Sequence, residues 1–186
     1  MKRISAAISM AACAALAATL GLAGPANAQT VRMHDPVGDD KTGNGNGDVS
    51  LVALHYNAHR LKVTIRWPKS GDPEHVQDLY VDTRRVERTP DLIISTNGDG
   101  EGWDVGFVTG WNLKHFQARC SGGNGSTDYD YAHHVLHFSV PRTCLMHRGA
   151  EQPQRLRASL ATRTEWEAAY DWVPGKRTFG RWVHWN

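Results

Sequence analysis

Cysteine is scarce in this sequence. Long hydrophobic runs are also scarce, and the one that occurs lies within residues 4–22. Three cysteines occur among 186 residues. Two basic residues near the start precede an Ala- and Leu-rich stretch, and Ala26, Asn27 and Ala28 then offer small residues for cleavage before Gln29. A retained membrane anchor is the alternative, although its core would be weakly apolar. We expect removal of residues 1–28 as a signal peptide, leaving a secreted, extracellular product without a membrane span.

Only two cysteines, Cys120 and Cys144, would remain after this cleavage. Secreted proteins meet an oxidising environment in which paired cysteines form disulfides. A metal-binding pair or a catalytic thiol would need further ligands or a polarising base, and beyond scattered histidines the sequence provides neither. We therefore expect a disulfide between Cys120 and Cys144.

A block of basic residues is also lacking. Two of the 21 Lys and Arg residues lie in the signal segment, so the remaining basic residues equal the 19 acidic residues in number. Binding to a phosphate backbone requires a positive field, so nucleic acid is not an expected partner. Residues 29–186 are of a length that fits one domain with its own core. The oligomeric state is left open by the sequence.

Helical periodicity is nearly absent, apart from one short helix predicted near residues 164–171, where Thr164 and Glu167 fit a capping box. Short strands separated by turn residues predict an all-β fold, an antiparallel, jelly-roll-like β-sandwich spanning residues 29–186. The predicted strands are Val49–Tyr56, Leu61–Trp67, Val76–Asp82, Leu92–Thr96, Trp103–Thr109, Leu113–Cys120, Val135–Val140 and Leu156–Thr162.

The last predicted strand alternates between apolar and polar residues. Leu156, Ala158 and Leu160 fall on one face, and three arginines and a serine fall on the other. This period of two predicts one buried face and one face in water. The segment 121–127, rich in glycine and serine, is predicted to be a flexible loop.

The densest group of oxygen ligands lies among glycines just before the first predicted strand. Carboxylate, amide and backbone oxygens suit Ca²⁺, which accepts six to eight oxygen ligands in irregular geometry. The alternative is a solvated loop whose side chains only form turns, because the spacing does not match an EF-hand. Asp82 and Asp91 lie near strand ends and are candidates to join this site. The predicted metal ligands are Asp35, Asp39, Asp40, Asn44, Asn46 and Asp48.

No catalytic motif stands out, since the sequence has no nucleophile elbow and no spacing that fixes a pair of catalytic carboxylates. Tryptophan is frequent, and four of the seven lie near the end of the chain. Exposed indoles there could stack on sugar rings, and Trp172, Trp182 and Trp185 are the candidates. The alternative is that they seal the edge of the sandwich.

Short motifs give the chain two family resemblances. DPVGDD, GDVSLVALHY, RLKVTIRW and the pair Asp82-Thr83 make its first third similar to DOMON-like and family 9 carbohydrate-binding-module-like β-sandwich domains. Pro141-Arg142-Thr143-Cys144 and Trp182-Val183 resemble a class of small secreted actinobacterial proteins of unknown function. The first resemblance implies a sandwich, a metal at Asp35, Asp39, Asp40 and Asp48, and binding rather than catalysis.

These observations predict a secreted, non-enzymatic binding domain that Ca²⁺ stabilises and whose partner is a glycan or a cell-envelope component. A secreted, glycosidase-like hydrolase with an active site in the acidic loops is one alternative. A protein-interaction module is the other.

Overall fold

The chain forms two antiparallel β-sheets, which confirms the predicted β-sandwich. The structure is a computed structural model. The structure has a 3₁₀ turn at Arg142–Leu145, and no helix among its described residues could cross a membrane. It describes residues 28–39, 47–68, 76–84, 88–96, 102–113, 116–123, 126–147, 151–163 and 171–185.

The first sheet has five strands in the order β1-β2-β3-β9-β8, so β1 and β8 are its edges. Its central strands arise from period-two alternation, and the inward side chains of β3 are fully buried. Neither edge strand has a sequence pattern that predicted it. The five strands are β1 (Gln29–His34), β2 (Leu51–Tyr56), β3 (Arg60–Arg66), β8 (Thr127–Asp130) and β9 (Val135–Pro141).

The second sheet has seven strands, with β11-β10-β4-β5-β6-β7 in order and β12 also paired to β10. Pairing of β4 with β10 runs over seven residues, from Val76 opposite Arg163 to Asp82 opposite Arg157. The strands are β4 (Val76–Asp82), β5 (Leu92–Thr96), β6 (Trp103–Phe107), β7 (Gln117–Gly122), β10 (Arg155–Arg163), β11 (Asp171–Val173) and β12 (Val183–His184).

The main core lies between the two sheets and contains the apolar faces of both. It includes Leu54, Ile65 and Leu136 from the first sheet, and Leu79 and Leu160 from the second. The disulfide between Cys120 and Cys144, which the sequence predicted, ties β7 to the 3₁₀ turn that follows β9. It therefore links the second sheet to the first.

The outer face of β10 is not in water, so the prediction of a wet face there is wrong. Ser159 and Ala161 are buried on that face, and every residue of β4 is buried as well. Aromatic side chains cover this face, because Tyr80 on β4 packs against Trp111 and Trp172. The three arginines predicted to be in solvent are partly covered, and two of them, Arg157 and Arg163, form ion pairs with aspartates of β4.

The predicted loop at residues 121–127 is partly wrong, because β7 continues to Gly122 and β8 begins at Thr127. The predicted helix near residues 164–171 falls on residues 164–170, which lie outside the described part of the chain. Its last residue, Asp171, begins β11 instead. The predicted signal peptide also lies outside, except for Ala28.

Candidate functional site

Three carboxylates from distant parts of the sequence meet beside the end of β1. Asp35 follows β1, Asp39 lies in the turn after it, and Asp171 opens β11. One carboxylate oxygen from each lies within 4.8 Å of the other two. The structure therefore assembles an acidic group from residues near the beginning and near the end of its described part.

Backbone pairing brings these residues together. The Asp35 N–H donates to the carbonyl of Ser50 at 3.2 Å, which extends the β1–β2 ladder by one residue. The Val49 N–H donates to Asp171 Oδ2 at 2.9 Å, and the Thr162 hydroxyl donates to the Gly47 carbonyl at 2.8 Å. These two bonds fix the segment before β2 against β10 and β11, so Asp35 and Asp171 face each other.

Asp48 lies next to the three grouped carboxylates and is only 1% exposed. Its Oδ2 accepts the Gly38 N–H at 2.8 Å, which closes the turn between β1 and β2. Its charge helps to raise the pKa of both Asp35 and Asp171. Asp48 thus adds negative charge to the group and also braces its loop.

Among the described residues, no ion pair offsets the negative charge of the three grouped carboxylates. Burial, followed by the charges of Asp171 and Asp39, raises the pKa of Asp35 to about 7. Burial also raises the pKa of Asp171 to about 6, against the opposing N–H bonds from Val49 and Trp172. Asp35 Oδ2 is buried and has no hydrogen-bond partner among the described residues. A proton or a cation bound here would relieve this repulsion.

The raised pKa values predict that the calcium-free protein loses stability as the pH rises from about 5 to about 8. Carboxyl groups of the unfolded chain release their protons near their ordinary pKa, at about 4. The folded state still holds protons on Asp35 and Asp171 in this window, so raising the pH removes a folded-state advantage.

Urea denaturation in EGTA across that pH range measures this trend. The trend should be smaller in Asp35→Asn, which carries no titrating group at position 35. A free energy of unfolding that rises with pH in the unmodified chain would contradict the prediction.

Of the six predicted metal ligands, Asp35, Asp39 and Asp48 lie at this site. The other three, Asp40, Asn44 and Asn46, lie outside the described residues. Asp171 was not among the predicted ligands, because the sequence pattern placed it at the end of a short helix. The available signal was weak, a single acidic residue at the start of the apolar pair Trp172-Val173.

Asp82 and Asp91 do not join this group and belong to a separate buried cluster. Asp82 is fully buried, and the Arg157 Nη2 lies 2.6 Å from its Oδ2. Burial raises the pKa of Asp82, and the bond from Arg157 partly opposes that rise. Asp91 lies 2.5 Å from His147 Nε2 and accepts the Thr83 hydroxyl at 2.6 Å.

The three tryptophans predicted to stack on a ligand have different surroundings. Trp172 packs on Tyr80 with ring centroids 5.5 Å apart. The guanidinium carbon of Arg142 lies 3.8 Å from the ring centre of Trp185, and the indole nitrogen of Trp185 is buried. Trp182 lines a surface cleft. Stacking of any of the three on a ligand stays a prediction.

No protein-family model matches this chain, and no curated protein matches it. The resemblance to DOMON-like and family 9 carbohydrate-binding-module-like domains stays a prediction from short motifs, as does the resemblance to small secreted actinobacterial proteins.

Proposed function

We propose that this chain is a secreted, non-catalytic binding domain that Ca²⁺ stabilises and that binds glycans of a cell envelope or of the environment. The observation that carries the proposal is the convergence of Asp35, Asp39 and Asp171 within 4.8 Å. A site built for a cation explains why three carboxylates approach so closely despite their repulsion.

The donor atoms of the group fit a hard cation. All three grouped residues offer carboxylate oxygens, whereas Zn²⁺ prefers nitrogen and sulfur ligands. Ca²⁺ accepts irregular oxygen sets, and the buried, unpartnered Oδ2 of Asp35 is a suitable ligand atom among the described residues. Asp171 would contribute one oxygen while its backbone bonds hold it in place.

The bound ion would have a structural task. Asp35 and Asp39 belong to the connection between β1 and β2, and Asp171 belongs to β11 of the other sheet. A cation between them would join an edge strand of the first sheet to an edge strand of the second. The bound ion would thereby hold β1 in place near the surface that binds the ligand.

The hydrolase alternative has one observation in its favour, because carboxyl groups that titrate near neutral pH are suited to acid catalysis. A glycosidase also needs a cleft that brings the sugar to its carboxylates. The large cleft beside Trp182 has no carboxylate among the described residues that line it. We therefore favour a binding domain.

The interaction-module alternative would require a broad apolar patch. In the described residues, the large hydrophobic side chains classed as exposed are Val37 and Tyr131, which lie on different turns. Two single side chains do not form such a patch, so this alternative has less support.

Thermal melting tests the cation. A ligand at about one hundred times its Kd stabilises the native state by about 2.7 kcal/mol. For a domain of this size, that gain corresponds to a rise in Tm of about 5 to 10 °C. The Tm in millimolar Ca²⁺ should exceed the Tm in EGTA by this amount. Mg²⁺ at equal ionic strength should raise the Tm less.

An unchanged Tm across millimolar Ca²⁺ would contradict the cation proposal. Glycan-array binding, measured with and without Ca²⁺, tests the ligand separately. Absence of binding under both conditions would remove the glycan part of the proposal and leave the cation part intact.

A further inference from the structure

A cleft of about 580 Å³ lies where an edge of the first sheet meets an edge of the second. One wall is β1, and the other is the segment that runs from β11 to β12. The Gly180 N–H donates to the Ala158 carbonyl at 2.9 Å, which ties this segment to β10. A Cβ at Gly180 would lie 2.3 Å from the Met33 sulfur, so the two walls meet closely at this point.

The wall formed by β1 offers an open strand edge. Among the described strands, β1 pairs only with β2. The bond from Asp35 to Ser50 sets the alternation of the ladder, so Gln29, Val31 and Met33 direct their backbone groups toward β2. Residues 30, 32 and 34 therefore direct theirs toward the cleft side.

Charge in the cleft is of one sign. Arg32, His34 and Arg181 line it, and no carboxylate lies among its described lining residues. Arg32 and Arg181 are exposed, and neither forms an ion pair with a described residue. Two guanidinium groups with open donor positions fit an anionic ligand, since their planar forks match carboxylate geometry.

The second wall carries a fixed aromatic surface. The Trp182 ring lies 4.7 Å from the guanidinium carbons of both Arg155 and Arg157. The guanidinium carbon of Arg157 also lies 4.7 Å from the ring centre of Phe179. Asp82, which is fully buried, anchors Arg157 at 2.6 Å, so the rings are held in place before any ligand arrives.

We propose that this cleft binds a carboxylated glycan, that is, a run of uronic acid residues. The inference rests on the proposed function and names its ligand class. Arginine forks would bind the carboxylates, and the partly exposed side chains of Trp182 and Phe179, which line the cleft, would pack against sugar rings. A polyol phosphate has no ring face to pack on these side chains, so the aromatic wall favours the uronic acid polymer.

Isothermal titration calorimetry tests this assignment on residues 29–186, the chain that the expected cleavage leaves. The probes are a hexamer of galacturonic acid, a neutral hexamer of glucose and a hexamer of glutamate. The galacturonate hexamer should bind more tightly than the neutral hexamer by at least about tenfold, and its affinity should fall with added salt. Each titration is performed in Ca²⁺, which the proposed site needs to hold β1 in place, and is repeated in EGTA, because Ca²⁺ could also bridge acidic sugars to the acidic group.

Variants locate the binding surface. The double variant Arg32→Ala/Arg181→Ala should lower galacturonate affinity about tenfold, since it removes two charged donors together with their hydrogen bonds to the carboxylates. Trp182→Ala should lower the affinity by a similar factor. Arg66→Ala removes an exposed arginine from the same sheet outside the cleft and should leave affinity unchanged.

Any of four results would overturn the inference. Equal affinity for the neutral hexamer would retain glycan binding but refute the acidic ligand. Preferential binding of the glutamate hexamer would assign the open β1 edge to an acidic peptide. Unchanged galacturonate binding in the double variant would place the ligand elsewhere. If neither sugar binds, the inference fails, and the glycan array decides whether the glycan part of the proposed function fails with it.

Discussion

Replacing Asp35 by asparagine is expected to have opposite effects in the absence and presence of calcium. At about pH 8, above the raised pKa of about 7, the Asp35 carboxylate is charged among other carboxylates. The neutral amide removes this repulsion, so the calcium-free variant should be as stable as the unmodified chain or more stable, by about 1 kcal/mol. The Tm increase caused by Ca²⁺ should shrink from about 5 to 10 °C to below about 2 °C.

Parallel melting curves in EGTA and in Ca²⁺ measure both effects. Asp128→Asn is the matched control, because it removes one exposed carboxylate on β8 that is not part of the acidic group. This control should change neither the stability in EGTA nor the Tm increase caused by Ca²⁺. If the Asp35→Asn variant kept the full calcium response, Asp35 would not be a ligand. If it lost stability in EGTA, the repulsion inferred from the raised pKa of Asp35 would be wrong.

Replacing Arg142 by alanine is expected to destabilise the fold by about 3 to 4 kcal/mol. This arginine is 4% exposed, although it carries a charge. Its Nε donates to the Tyr56 hydroxyl at 3.1 Å and to the Pro153 carbonyl at 3.2 Å, while its Nη groups lie 3.4 Å from two further carbonyls. Its guanidinium also covers the ring of Trp185 at 3.8 Å.

Truncation would remove a donor from the carbonyls of Ala58 and Gln152, leave the Pro153 carbonyl with the Tyr56 hydroxyl as its donor, and open a cavity beside Trp185. The expected fall in Tm is about 6 to 16 °C for a domain of this size. Arg142→Lys keeps the charge but not the planar fork, so it should lose about half as much stability. Urea denaturation measures the free energies of unfolding.

Arg66→Ala, which removes an exposed arginine from β3, is the control. Its free energy of unfolding should lie within about 0.5 kcal/mol of that of the unmodified chain. A similarly small loss for Arg142→Ala would mean that water replaces the guanidinium at no cost. The result also bears on the motif Pro141-Arg142-Thr143-Cys144, because a large loss would give its arginine a structural role next to the disulfide.

The sequence by itself determined the fold class and much of the strand pattern. Val76–Asp82 and Leu92–Thr96 were predicted with the bounds that β4 and β5 have. The inward faces of β3 and β10 also follow from alternation, because the direction of a side chain in a strand depends only on its position along that strand. The disulfide followed from the number of cysteines in a chain that is expected to be secreted.

Tertiary structure alone decided the composition of the acidic group. Asp35 and Asp39 are close in sequence, so a shared site could be predicted from their spacing. Asp171 reaches them only because β11 lies at the edge of the second sheet, where the Val49 N–H meets its carboxylate. The order of strands in a sheet depends on pairing between distant segments, which no local pattern encodes.

Irregular segments decided which surfaces are buried. The outer face of β10 has the pattern of a wet face, yet Trp111 and Phe179 come from segments without periodicity and cover it. The same C-terminal segment forms one wall of the cleft beside Trp182. Periodicity identifies the face that a strand turns toward the core between the sheets, whereas the tertiary fold decides what covers the opposite face, because that contact comes from loops whose paths the strands do not fix.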